Sequence, residues 1–140
     1  MARILVIEDN AVAIKLTTLA LENAGHTVLC ADDAETGLML ARTGLPDLIL
    51  MDMLLPGMTG LAATALLKTD PATSAIPIIA LSAMLTKDDE QKAKVAGCDA
   101  YIAKPFRRQE LNATIDDLLN AAIDALLLRS GPATSTAAAL

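Results

Sequence analysis

Residues 46–60 read PDLILMDMLLPGMTG. The apolar run Leu48 to Met51 delivers a single acid, Asp52, and breaks at Leu54-Leu55-Pro56-Gly57. A run this short, bounded by Pro46 before and Pro56-Gly57 after, predicts a buried strand that ends beside its acid. Asp52 then sits at the carboxyl end of that strand, which in an open α/β sheet is the edge where ligands bind. Taken alone, such an acid is equally suited to capping the next turn.

The chain on either side repeats the pattern. Arg3 to Ile7 is a second apolar run, rich in β-branched residues, that ends at Glu8-Asp9-Asn10. Asn10 is placed to cap a helix in which Val12, Leu16, Leu19 and Ala20 share one face and Gly25 supplies the stop. His26 to Ala31 predicts a short strand, and Asp32-Asp33 opens a helix whose Leu38 and Ala41 face inward until Gly44. After Asp52, Thr59 to Lys68 predicts a third helix and Ile76 to Leu81 a fourth strand ending at Ser82-Ala83. Thr86 and Asp89 form a capping-box pattern for a helix that Gly97 ends. Asp99 to Ala103 predicts a fifth strand containing Tyr101, closed by Lys104-Pro105 before a last helix near Arg107. Strands that alternate with helices through connections this short require crossover units, hence an α/β, doubly wound fold around a five-stranded parallel sheet.

At 140 residues the chain predicts one domain with a core large enough to need no staples. The 54% hydrophobic content is aliphatic, with Tyr101 and Phe106 the two aromatics. Eleven basic residues against 17 acidic give a net charge of −6, which argues against a nucleic-acid surface. Arg107-Arg108 is the one adjacent basic pair and reads as a solvated helix start. Cys30 and Cys98 lack metal-ligand or CxxC spacing and predict reduced core thiols. His26 is the single histidine, so no triad or shared metal is expected of it. MARILVIEDN contains neither a signal peptide nor a membrane span, so the expectation is a cytoplasmic protein without membrane contact.

Parallel strands align their carboxyl ends on one edge, which gathers Glu8, Asp9, Asp52, Ser82 and Lys104. Three carboxylates in one cleft demand compensating charge, and Lys104 offsets one. The remainder suits a hard divalent cation, with Mg²⁺ fitting a few oxygen ligands beside retained waters. An anionic phosphoryl donor drawn to that cleft makes Asp52 the natural nucleophile, with Ser82 and Lys104 holding phosphoryl oxygens. Nucleotide-binding signatures GxxxxGK[ST] and GxGxxG are absent. Phosphohydrolases that use an aspartyl phosphate resemble DxD at the nucleophile, and here Leu54 takes the place of the second acid.

Four motifs in order, VIEDN (6–10), LILMDMLLPGMTG (48–60), ALSA (80–83) and AYIAKP (100–105), make the chain resemble the receiver domain of two-component response regulators over roughly Arg3 to Leu119. The resemblance implies a flavodoxin-like (βα)5 fold with strand order 2-1-3-4-5. It implies that Asp52 is the phosphoacceptor, that Glu8, Asp9, Asp52 and the Leu54 backbone carbonyl hold Mg²⁺, that Ser82 is the switch hydroxyl, Lys104 the phosphate-pairing lysine and Tyr101 an aromatic whose burial changes on activation. It further implies a histidine kinase or histidine phosphotransfer protein as donor, slow autodephosphorylation, and a downstream protein target bound through helix 4, strand 5 and helix 5. The alternative is a receiver-like module that binds partners without phosphorylation. Leu54 and Met84, two residues after Asp52 and Ser82, are aliphatic where polar residues also occur in the family. They are expected to hinder attack by water and prolong the phosphorylated state.

The last helical pattern continues through Leu111, Ile115, Leu118 and Leu119 to Ile123, Leu126, Leu127 and Leu128. A helix from Arg107 to Leu128 is roughly 33 Å long and overhangs a small sheet. Either that end folds back or frays, or Ile123, Leu126 and Leu127 make a homodimer or partner contact. The expected divisions are a receiver domain at 1–122, an extension of the last helix at 123–129 and a disordered tail or linker at 130–140.

Overall fold

The computed structural model describes residues 2–83 and 86–139, with side chains described as far as Leu128. Ten elements alternate: β1 (Arg3–Ile7), α1 (Ala11–Asn23), β2 (Thr27–Ala31), α2 (Ala34–Gly44), β3 (Leu48–Asp52), α3 (Gly60–Thr69), β4 (Ile78–Ser82), α4 (Lys87–Ala96), β5 (Ala100–Ala103) and α5 (Arg108–Ala139). All strand pairs are parallel and the order is β2-β1-β3-β4-β5, the doubly wound arrangement. The chain reverses its winding between β1 and β3, so a crevice opens there at the strands' carboxyl ends.

β3 and β4 are buried along their whole length, as strands covered on both faces must be. Alternate residues feed two cores. Leu5, Ile7, Ile49 and Met51 pack against Leu38 of α2 and Leu67 of α3. Ile4, Val6, Leu50 and Leu81 pack against Leu21 of α1 and Ile115 of α5. Each such side chain contributes about 1.5–3 kcal/mol by leaving water, so the central strands are the rigid frame on which the strand-end residues stand.

Four helices begin at side-chain caps. The N–H groups of Ala13, Thr36, Ala62 and Asp89 donate to Asn10, Asp33, Thr59 and Thr86 at 3.0, 2.7, 3.2 and 3.1 Å. The Thr36 amide and hydroxyl hold the Asp33 carboxyl below the usual aspartate range. A depressed folded-state pKa stabilises the fold above the ordinary aspartate value of 3.8 and loses that contribution as pH falls through the folded value. Asp33→Ala is therefore expected to lower the melting temperature at pH 7, with the deficit shrinking in acid, whereas Asp33→Asn retains the cap. Thermal melts across pH check it.

Three expectations need correction. Val12, Leu16 and Leu19 of α1 do not face the core: they are exposed, and Thr17 and Leu21 are the buried residues. Helical spacing fixes a period but not which stripe docks, and the narrower Thr17/Leu21 face seats against the sheet. Cys30 is not a core residue, because β2 is an edge strand and leaves it exposed. Cys98 is half-buried, within 3.8 Å of the Thr64 hydroxyl, and burial pushes its thiol up. Finally, α5 neither folds back nor stops at the sheet's edge. Its buried residues are Leu111 and Ile115, Leu118 and Leu119 are half-buried, and Ile123, Leu126, Leu127 and Leu128 are exposed. The helix runs on through the stretch expected to be a tail, whose side chains lie outside the described residues.

Candidate functional site

Strand register brings the acids together. Ile7 pairs with Met51, so the next residues, Glu8 and Asp52, come level across β1 and β3. Asp52 pairs with Leu81, and Ser82 with Ala103, which sets Lys104 one step beyond the β4 terminus. Backbone bonds pin these ends: Met53 N–H donates to Leu81 carbonyl at 3.0 Å, Lys104 N–H to Ser82 carbonyl at 2.8 Å, and Glu8 N–H to Ala31 carbonyl at 3.0 Å. The Lys104–Pro105 peptide is cis.

Glu8, Asp52 and Ser82 are only 2%, 6% and 4% exposed, whereas Asp9 stands at the mouth in solvent. The Lys104 ammonium donates to Glu8 Oε1 and lies 3.5 Å from Asp52 Oδ2. Asp52 Oδ1 accepts the Leu54 N–H at 3.0 Å, and Glu8 Oε2 accepts the Asn10 N–H at 3.4 Å. Every carboxylate oxygen of the buried pair therefore faces a donor. Charge is still short: one ammonium stands against three carboxylates. Burial, followed by the hydrogen bond and charge of neighbouring Asp52, pushes the Glu8 carboxyl above its ordinary range, and Lys104 pulls the other way without cancelling the rise.

One ligand oxygen from each of Glu8, Asp9 and Asp52 lies within 4.8 Å of the others. The donors are all hard oxygens, with no histidine or cysteine among them, which matches Mg²⁺ or Ca²⁺ rather than zinc. One ammonium against three carboxylates leaves the site short of positive charge.

The remaining predicted residues distribute unevenly. Ser82 is at the site, its carbonyl tied to the Lys104 backbone. Leu54 is exposed at the rim, 61% accessible, with its N–H committed to Asp52. Met84 lies outside the described residues. Tyr101 is not at the acid cluster: it is half-buried in β5, level with Ala80, and lines a separate cavity of about 230 Å³ with Ala93, Lys94 and Cys98. Gly60, the first residue of α3, carries a role that the sequence did not reveal. A Cβ there would come 2.3 Å from the Asp52 carbonyl and 2.8 Å from Met53 Cα. Its only signal in the sequence is a glycine, a poor helix former, at the first helical position after the Thr59 cap.

The chain matches the family model described as response regulator receiver domain over residues 4–116. It is 39% identical to protein PilH of Pseudomonas aeruginosa over 119 residues, covering 85% of this chain and 98% of PilH. It is 38% identical to the polar-differentiation response regulator DivK of Brucella anthropi over 116 residues, covering 83% of this chain and 94% of DivK. Among solved structures, the receiver domain of a sensor histidine kinase from Pseudomonas aeruginosa PAO1, with a magnesium ion coordinated in its active-site cleft, superposes with a TM-score of 0.80. That pair is 32% identical, over 85% of this chain and 98% of the other.

Proposed function

This chain belongs to the response regulator receiver family, whose general role is that of a phosphorylation-dependent switch in two-component signalling, and from that premise we propose that Asp52 is its phosphoacceptor and Mg²⁺ its cation. The observation that carries this reading is the meeting of Glu8, Asp9 and Asp52 within 4.8 Å, with one ammonium reaching both buried acids. Intact-mass measurement after incubation with Mg²⁺ and a small phosphodonor tests it.

The residues divide the work. An Asp52 carboxylate oxygen attacks phosphorus, a P–O bond forms as the P–N bond of a donor phosphohistidine breaks, and the imidazole leaves with a proton. The donor is a histidine kinase or a histidine phosphotransfer protein. Asp52 is held for that attack by the Leu54 N–H on one oxygen and Lys104 near the other. Lys104 is within reach of both the acceptor and Glu8, so it offsets charge on the phosphoryl oxygens after transfer. Ser82 supplies the hydroxyl that responds to the phosphoryl group, and Tyr101 carries the change to the face of α4, β5 and α5, where a downstream protein binds. Glu8, Asp9, Asp52 and the Leu54 carbonyl are the residues that would hold Mg²⁺, which supplies charge neutralisation for the phosphoryl oxygens. The chemistry ends on the protein's own Asp52 and is reset by slow hydrolysis, so the molecule works as a switch rather than a turnover catalyst.

Two results are expected. In a metal chelator at pH 7, Glu8→Gln raises the melting temperature by relieving carboxylate repulsion, and the further rise that Mg²⁺ gives the wild type is largely lost. A Glu8→Gln protein that still gains the full Mg²⁺ shift would exclude Glu8 as a ligand. Second, the Leu54→Asn, Met84→Glu double variant loses its phosphoryl group roughly tenfold faster than wild type, equivalent to about 1.4 kcal/mol of barrier. The two aliphatic side chains are then the shield against water; equal lifetimes would remove that role.

A further inference from the structure

Three of the six methionines, Met51, Met53 and Met58, surround the end of β3, and they differ in what can reach them. Met51 is fully buried, whereas Met53 and Met58 are half-buried and pack against the core cluster shared with α2 and α3. Met53 stands between Asp52 and Leu54, and Leu54 is exposed at the rim. Its side chain has a particular seat. A Cβ on Gly60 would come within 2.9 Å of Met53 Cε, so the thioether methyl lies over the glycine in the space that the missing side chain leaves. Backbone bonds join the same parts: Gly60 N–H donates to the Met53 carbonyl at 3.3 Å, and Met53 N–H to the Leu81 carbonyl at 3.0 Å. Met53 is thus the point at which the loop after β3 is fastened to α3 and to β4. The next amide in that loop is the one the site uses, because Leu54 N–H holds Asp52 Oδ1 at 3.0 Å.

That fastening depends on an apolar side chain. A thioether sulfur attacks an oxygen of hydrogen peroxide: an S–O bond forms as the O–O bond breaks, sulfur gives up two electrons, and the hydroxide released takes up a proton and leaves as water. The product is a polar sulfoxide, and holding it against a glycine backbone and an aliphatic cluster strips its oxygen of water. To hydrate that oxygen the Met53 side chain leaves its seat, and the Leu54 amide loses the support that keeps it on Asp52. The other methionines differ. Met39 on α2 is 55% exposed, so an oxygen there is hydrated where it stands, and Met51 is shielded from oxidant by full burial.

We propose that Met53 is a redox-sensitive modification site, whose sulfoxidation by hydrogen peroxide unseats the loop that holds Asp52. Slower phosphoryl transfer is the consequence, and that part rests on Asp52 being the phosphoacceptor; the unseating does not. The test treats the full chain with hydrogen peroxide and locates each added oxygen, about 16 Da, by peptide mass mapping. Melting temperature and the rate of mass gain with Mg²⁺ and acetyl phosphate are then measured. In the wild type Met53 is expected to be oxidised before Met51, the melting temperature to fall, and the phosphorylation rate to drop on the order of tenfold. Met53→Leu keeps the volume and removes the sulfur, so it is expected to hold its melting temperature and its rate through the same treatment. Met39→Leu and Met58→Leu are expected to lose both as the wild type does. Cys30 and Cys98 are present in every variant, so their oxidation is common to all. A Met53 that stays unoxidised, a Met53→Leu protein that falls as far as the wild type, or protection by Met58→Leu instead overturns the proposal. An untreated wild type that gains no phosphoryl group defeats the Asp52 reading alone, and the melting temperatures still decide whether oxidation unseats Met53.

Discussion

Asp52→Asn protein incubated with Mg²⁺ and acetyl phosphate is expected to gain no mass, while the wild type gains the roughly 80 Da of one phosphoryl group. The effect is all-or-none because an amide offers no carboxylate oxygen to attack phosphorus. Loss of fold does not explain the result in advance. Asparagine keeps the shape of the side chain and an oxygen to accept the Leu54 N–H, and it removes one negative charge from a pocket where Glu8 is already pushed up by its neighbours. The variant is therefore expected to melt no lower than wild type, and a circular-dichroism melt checks that beside the mass. An equal adduct on both proteins would put the phosphoryl group elsewhere. No adduct on wild type would defeat the phosphorylation mechanism and leave a receiver-like module that works by binding alone.

Gly60→Ala is expected to cost about 3 kcal/mol of stability, lowering the melting temperature by about 10 °C, and to slow phosphorylation as well. Its added Cβ meets backbone, the Asp52 carbonyl at 2.3 Å and Met53 Cα at 2.8 Å, so no side chain can swing aside. Either α3 retreats from β3 or the β3 terminus shifts, and the second outcome moves the acceptor itself. Gly57→Ala is the control. Gly57 has a positive φ of 75° but open space around its Cβ position, so that substitution is expected to cost only about 1–2 kcal/mol and to leave the phosphorylation rate intact. Denaturant unfolding and the rate of mass gain separate the pair; equal losses in both glycine variants would show that the close approach at Gly60 does not matter.

Much of this molecule was legible before any coordinate. Arg3–Ile7 is a strand over the predicted residues, and Asp52 closes β3 as its flanking prolines and glycine required. Asn10, Asp33, Thr59 and Thr86 cap their helices because a short polar side chain just before a helix satisfies an amide that the helix itself leaves open. The acid set was legible too, since parallel strands can only bring their carboxyl ends to one edge. Boundaries were less exact: β4 begins at Ile78 and β5 at Ala100, one or two residues inside the predicted runs.

What the residues determined by themselves is the order of elements, the parallel sheet and the chemical types at its carboxyl edge, because run length, caps and breakers act over a few neighbouring residues. Tertiary packing decided the rest. It chose Thr17 and Leu21 over Val12 and Leu16 as the docked stripe of α1, and left Cys30 on an edge strand in solvent. It brought the Lys104 ammonium to Glu8, 96 residues away, through the register of four strands. It set the raised Glu8 carboxyl and the close approach of Gly60 to the Asp52 backbone. Desolvation, docking phase and register are properties of surfaces that meet from distant parts of the chain, and no local pattern of residues encodes where those surfaces will touch.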